Sequence, residues 1–80
     1  MKARIYVTLK RAVLDPQGRA VARSLQHMGF SEVGDVRVGK FIELELSARS
    51  QEDARRRLEE MCRKLIANTV IEDYRIEVDG

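Results

Sequence analysis

Asp35-Val36-Arg37-Val38-Gly39-Lys40-Phe41-Ile42-Glu43-Leu44-Glu45-Leu46 is the stretch on which the fold turns. Val36, Val38, Ile42, Leu44 and Leu46 share one parity, the alternation of a strand with one buried face. Gly39-Lys40 in its middle invites a two-residue hairpin. That hairpin would set Val38 opposite Phe41 and Val36 opposite Glu43. Opposed residues project to the same face, so Asp35 and Arg37 would lie with Ile42 and Leu44. A one-residue shift of register flips every side chain. Two arrangements survive: a three-residue loop over Gly39 to Phe41, or one strand from about Asp35 to Leu46, bent at Gly39. At roughly 3.3 Å per residue that strand spans about 40 Å, more than one small domain covers. The long strand, favoured here, therefore calls for a dimer that shares or exchanges it.

Upstream, Ala3, Ile5, Val7 and Leu9 alternate with Arg4, Tyr6, Thr8 and Lys10, which predicts a half-buried strand over residues 3–10. After a short link, Asp15-Pro16-Gln17-Gly18 opens a helix: Asp15 suits the N-cap and proline is pre-set for the first helical position. Ala22, Leu25 and Met28, with Val21 beside them, form its apolar stripe, and Gly29 supplies a left-handed stop. Downstream, Ser50 with Asp53 three residues on reads as a capping box. Ala54, Leu58, Met61, Cys62, Leu65 and Ile66 give this second helix its buried stripe, and Asn68 suits a left-handed terminator. Residues 72–79 alternate again, with Tyr74, Ile76 and Val78 inward. The order is β-α-β-α-β, or β-α-β-β-α-β if the central stretch is split. Both lie near the ferredoxin-like α+β plan, an antiparallel sheet with two helices on one face. One domain over residues 1–80 is expected.

An 80-residue chain buries a small share of its surface. Cys62 is its one cysteine, so neither a disulfide framework nor a cysteine metal cluster is available, and a reducing, cytoplasmic setting fits. No signal peptide or membrane-length apolar run is apparent. Oligomerisation is the remaining route to stability. With 15 Lys+Arg against 13 Asp+Glu, the charge is mixed. Arg55-Arg56-Arg57 precedes Glu59 and Glu60, so Arg55/Glu59, Arg56/Glu60, Glu59/Arg63 and Glu60/Lys64 are spaced for helical ion pairs. Nucleic-acid binding, which needs a concentrated basic face, is not expected.

The residues offer no catalytic constellation. Cys62 falls on an apolar stripe, and His27, the one histidine, has no partner at useful spacing. Gly18 lies inside a helix rather than in a phosphate-cradling loop. Gly39-Lys40 reads as a strand bend. On a continuous strand Lys40 shares the parity of the inward residues, so it must reach water or a partner; contact with another subunit is expected there. Glu43 and Glu45 face outward.

The segments Tyr6-Val7-Thr8-Leu9-Lys10, Asp15-Pro16-Gln17-Gly18, Val36-Arg37-Val38-Gly39-Lys40, Cys62 to Asn68 and Val70-Ile71-Glu72-Asp73-Tyr74, in this order and spacing, resemble the PurS family, the small subunit of phosphoribosylformylglycinamidine synthase. One departure is Asn68-Thr69-Val70, where many members have proline in the middle. The resemblance implies a subunit that is itself inactive, within a glutamine-dependent, ATP-consuming C–N ligase of purine biosynthesis. It implies PurL-type synthetase and PurQ-type glutaminase partners and a homodimer, possibly paired to a tetramer, bridging them for ammonia transfer. No cofactor is expected on this chain; ATP and Mg belong to the synthetase. Expected interface positions are Asp15, Pro16, Gln17, Gly18, Arg37, Val38, Gly39, Lys40 and Asn68. A ferredoxin-like sensor of small molecules is the alternative. An RNA-binding module lacks the aromatics such a sheet needs.

Overall fold

The structure, a computed structural model, describes residues 1–79, so only the final residue of the expected 1–80 domain lies outside the described residues. Strand β1 (Lys2–Leu9) is the middle of a three-stranded antiparallel sheet, flanked by β2 (Gly39–Glu45) and β3 (Glu72–Asp79). Three rungs build its core face. Ala3 stands between Leu44 and Val78, Ile5 between Ile42 and Ile76, and Val7 between Lys40 and Tyr74. Helix α2 (Gln51–Met61) lies over this face and brings Ala54 and Leu58, with Cys62 directly after its end; all three are fully buried.

The central stretch forms neither hairpin nor three-residue loop, and within one protomer the favoured strand from Asp35 to Leu46 is present only in its second part. Its paired part is Gly39–Glu45, and residues 35–38 belong to no strand. The register shows why the ladder stops. Thr8 pairs with Gly39, and the next N–H along, that of Val38, is given to the Asp15 carboxylate instead (2.8 Å).

Both helix starts follow capping logic. Asp15 Oδ1 accepts the Gly18 N–H (2.8 Å) at the start of α1 (Pro16–His27), and Ser50 Oγ accepts the Asp53 N–H (3.1 Å). Gly29 takes the left-handed stop, φ 102°. The second helix ends differently from expectation. Cys62–Ile66 form a π-helical turn, closed by the Ala67 N–H on the Cys62 carbonyl (2.9 Å). The wider turn aligns Ile66 with Cys62 and swings Leu65 outward, to 87% exposure, so Leu65 leaves the expected buried stripe. Asn68 has no left-handed backbone. Its Oδ1 accepts the Val70 N–H (3.2 Å) and its carbonyl the N–H of Glu72 (2.7 Å), a side-chain-supported turn.

Helix α1 adds no second helix to the core face within one protomer. Only Gly18 along it is buried, and it has no substantial contact with a strand or with α2. Met28, expected on its apolar stripe, is 72% exposed. The chain measures 50 × 24 × 14 Å, with a radius of gyration of 16.0 Å. A closed domain of this length would have about 12 Å.

Candidate functional site

All the expected interface positions but Asn68 gather around one corner, where the start of α1 meets residues 36–40. Asp15, 4% exposed, is its centre. One carboxylate oxygen caps α1 and the other holds the Val38 N–H. These two bonds, from Val38 first and then Gly18, hold its carboxyl below the ordinary aspartate value, against the opposing effect of burial. Gly18 is required here by contact: a Cβ on it would come within 2.0 Å of the Val36 carbonyl oxygen. Arg37 completes the clasp by donating to the carbonyls of Lys10 (2.7 Å) and Val13 (3.0 Å). Asp15, Gly18, Arg37 and Val38 are thus brought together and bonded inside the protomer. Pro16 and Gln17 stay exposed beside them.

Gly39 and Lys40 serve the sheet. A Cβ on Gly39 would meet the Val7 carbonyl oxygen at 2.4 Å, so close strand approach, not a loop, explains this glycine. Lys40 lies on the core face opposite Val7 and sends its ammonium to the Ile66 carbonyl (3.2 Å). It meets the end of the π-helical turn rather than a carboxylate, a place where a cation is favoured. Asn68 lies apart from the corner's bonds, in its own turn.

The outer sheet face is polar around a small aromatic centre. Tyr6 and Phe41 have ring centroids 5.1 Å apart, and the Arg75 guanidinium stands 4.3 Å over Tyr6. Arg4 binds Asp79 through two nitrogens (2.8 and 2.9 Å) and Glu77 through a third (3.2 Å); this holds both acids below their ordinary range. On α2 the expected pairs Glu59–Arg63 (3.9 Å) and Glu60–Lys64 (3.2 Å) form. Arg55 and Arg56 do not take Glu59 and Glu60. Arg55 donates to the Ile76 carbonyl and Arg56 to Asp53, in keeping with the poorer geometry of a cation placed N-terminal to its acid.

Cys62 is fully buried, and burial pushes its thiol up; Tyr74 OH next to it bonds Glu59 (2.5 Å). His27 is exposed. Among the described residues no three His, Cys, Asp or Glu side chains are grouped to hold a metal, and no helix is long and apolar enough to cross a membrane. The arrangement has the chemistry of an assembly part: a clasped helix and open apolar surface. Sequence reasoning missed two exposed side chains of that surface, Leu65 and Val70 (80% exposed); the π-helical turn that turns Leu65 out leaves no mark in the apolar spacing.

The PurS family model, described as phosphoribosylformylglycinamidine (FGAM) synthase, matches residues 2–80. The chain is 54% identical over 78 residues to the synthase subunit PurS of Bacillus subtilis, covering 98% of this chain and 92% of that protein. It is 41% identical over 78 residues to the subunit of Methanocaldococcus jannaschii, covering 98% and 94%. Its fold matches the solved B. subtilis PurS with TM-score 0.90 (53% identity, 99% and 98% coverage). It matches a chain of PurLQS from Thermotoga maritima with TM-score 0.88 (33% identity, 95% and 93% coverage).

Proposed function

The chain belongs to the PurS family, and on that premise we propose how it serves the synthase. It is a subunit of phosphoribosylformylglycinamidine synthase, a complex of purine biosynthesis, and its partners are PurL and PurQ subunits. Our reading is that it carries no reacting group. The synthetase, with ATP and Mg, converts formylglycinamide ribonucleotide to formylglycinamidine ribonucleotide using ammonia that the glutaminase releases from glutamine. This chain, in the cytoplasm, bridges the two and keeps them aligned for that transfer.

One observation carries the bridging role: the protomer is not closed on itself. Its accessible surface is 6034 Å², where a compact monomer of this mass would show about 4,900 Å². The excess, about 1,100 Å², is on the scale of one partner's share of a standard interface. The open surface is also in the right places. Ile42, Leu44 and Leu46 are only half-buried, because no helix covers β2, while α1 stands off the sheet with Val21, Met28 and Phe30 exposed. A second copy satisfies both, giving a homodimer whose shared region includes residues 35–38. In this reading Asp15, Gly18, Arg37 and Val38 set the angle of α1 from inside. Pro16 and Gln17 are the corner's outward contacts, with Gly39, Lys40 and Asn68 positioning the strand and turn beside them.

Reconstitution tests this. The cognate synthetase and glutaminase should make formylglycinamidine ribonucleotide from glutamine only when this chain is added, and light scattering should find the chain multimeric. Full glutamine-dependent activity without it, or a monomer that ignores both partners, would refute the reading.

A further inference from the structure

We propose that the open edge of β2 pairs antiparallel with the same edge of a second copy, about a two-fold axis that passes through Phe41. The proposal rests on the homodimer of the preceding reading and fixes where its two copies meet. It starts from the ladder. Leu46 exchanges both backbone bonds with Met1 (3.0 and 3.1 Å), so the even-numbered residues along this strand turn their N–H and C=O groups toward β1. The Val38 N–H continues that side into Asp15. The odd-numbered Gly39, Phe41, Glu43 and Glu45 therefore aim theirs away from β1, where no strand of the described residues lies. Such a row is a template for another strand. The other edge of the sheet is guarded. Strand β3 carries Glu72, Asp73, Glu77 and Asp79 with Arg75 as its one cation, so copies of it would oppose acids, and its Ile76 carbonyl already accepts from Arg55 (3.3 Å).

The strand's own sequence selects the register. Val36 and Val38 are half-buried, in phase with Ile42, Leu44 and Leu46 across the end of the ladder, while Arg37, Phe41, Glu43 and Glu45 are exposed. None of residues 35–38 has a left-handed backbone, so β2 can extend through them once an edge is there to receive it. Directly opposed residues share a face. Opposed numbers must then sum to an even value, and the axis falls on a residue rather than between two. An axis through Gly39 sets Asp35 against Glu43 and Val38 against Lys40. One through Lys40 sets Lys40 against itself and Asp35 against Glu45. One through Ile42 leaves Arg37 without an acid and puts Phe41 against Glu43. Like charges directly opposite are destabilising, whereas aromatic and opposite-charge pairs are favourable. Only the axis through Phe41 sets Val38 on Leu44, Val36 on Leu46 and Arg37 on Glu45 without opposing like charges. Arg37 is able to serve both ends, because a single guanidinium nitrogen makes its bonds to Lys10 and Val13. Phe41, a large apolar side chain left 55% exposed, then meets its own copy at the centre of the contact, where aromatic anchors carry most. The product is one sheet of six strands with both α2 helices on the same face.

The test uses the full chain, in which buried Cys62 is the one native thiol, so wild type supplies the background. Phe41→Cys, Lys40→Cys and Ile42→Cys are each oxidised in a glutathione buffer and read as covalent dimer on a non-reducing gel. A residue on the axis faces its copy at about 5.5 Å between Cα atoms, within disulfide reach; a residue one position away meets its copy only on the diagonal, at roughly 7–8 Å. The expected result is that Phe41→Cys links about tenfold or more faster than the other two. Light scattering over a dilution series reads the free equilibrium. Phe41→Lys, which opposes like charges at the axis, should raise the dimer dissociation constant about tenfold or more, and Leu65→Lys, away from this edge, should leave it unchanged. Faster linking of Lys40→Cys or Ile42→Cys, no linking at any of the three in a chain that light scattering finds dimeric, or an unchanged dimer in Phe41→Lys would each overturn the proposal. A wild-type chain that is monomeric throughout would refute the homodimer of the preceding reading instead, so the two failures are distinguishable.

Discussion

Gly18→Ala is the substitution whose sign most directly tests the clasp. In an exposed helix the change from glycine to alanine is favourable by about 1 kcal/mol. Here the added Cβ would lie 2.0 Å from the Val36 carbonyl oxygen and 2.9 Å from the carbonyl carbon. Backbone atoms cannot rotate away as a side-chain tip does, so residues 36–38 and the start of α1 must separate by more than an ångström. The Val38 N–H bond to Asp15, now 2.8 Å, would then pass beyond hydrogen-bonding range. Forcing an extra carbon into a packed site costs typically about 1–3 kcal/mol, with the broken clasp placing this case at the upper end. Against the helix gain, the net loss is about 1–2 kcal/mol. For a domain of this size that lowers Tm by roughly 4–16 °C. Gly34→Ala is the internal control, since nothing lies within 4 Å of its added Cβ and its backbone is not left-handed. It should be neutral or stabilising by a few tenths of a kcal/mol, through the unfolded chain. Thermal and urea unfolding of both variants at matched protein concentration provides the comparison, because self-association makes Tm concentration-dependent. If Gly18→Ala unfolds with or above Gly34→Ala, the close approach of Val36 to α1 is wrong and the argument for the clasp goes with it.

Leu58→Ala removes a fully buried side chain of α2 and should cost about 2–5 kcal/mol in urea unfolding. A loss below 1 kcal/mol would place that helix elsewhere. Cys62 should resist a thiol-specific reagent in the native protein and react fully in denaturant, because its thiol is both buried and raised; rapid native reaction would contradict its position. The folded state holds the Asp15 carboxyl below its ordinary 3.8 through the Val38 and Gly18 N–H groups. The stability it contributes is therefore present above that value and is lost as pH falls through the lower folded value. The gap in urea midpoint between wild type and Asp15→Asn should accordingly narrow on acidification, and a gap that widens would reverse the assignment. Lys40→Met keeps the aliphatic stem against the sheet and removes the cation at the Ile66 carbonyl. A loss of about 0.5 kcal/mol is expected, read as a lower urea midpoint with unchanged strand content.

Much of this fold is legible because local rules decide it. Strand β1 announces itself through Ala3, Ile5 and Val7, and both caps through Asp15 and Ser50, since alternation and capping depend on neighbours in sequence. The central stretch is harder. Its parity correctly places Ile42 and Leu44 on the core face, yet the end of pairing depends on where the Asp15 carboxylate spends its second oxygen, 23 residues away in sequence. A similar reason hides the exposure of Leu65. Ideal helical spacing puts it beside Cys62, and only the one-residue widening at Cys62–Ile66 turns it out. Asn68 illustrates the remaining ambiguity. Asparagine at a helix end serves a left-handed stop or a side-chain-capped turn, and the Glu72 N–H on its carbonyl decides for the turn. The corner residues Asp15, Gly18, Arg37 and Val38 are legible as a set through the family segments, but their mutual bonding is visible only once the chain is folded.

The two helices divide the work of a small chain. Helix α2 with the π-helical turn after it delivers Leu58 and Cys62 to the core and pairs Arg56, Arg57, Arg63 and Lys64 with its own acids, so its contacts are largely made within one protomer. Helix α1 does neither. It buries Gly18 alone, leaves Val21 exposed and has Arg19 and Arg23 in none of the ion pairs among the described residues. Such a helix is poorly stabilised by propensity, since isolated segments of this length are marginal in water. Its order in the protomer therefore comes from the clasp at its first turn, where Asp15 ties the cap to Val38 and Arg37 ties the preceding loop. A helix fixed at one end and open along both edges is a projecting arm of defined direction. That form gives a reason for a buried, doubly bonded aspartate and a contact-forced glycine at its base: without them the arm would have no fixed angle to the sheet, as the proposed bridging role requires.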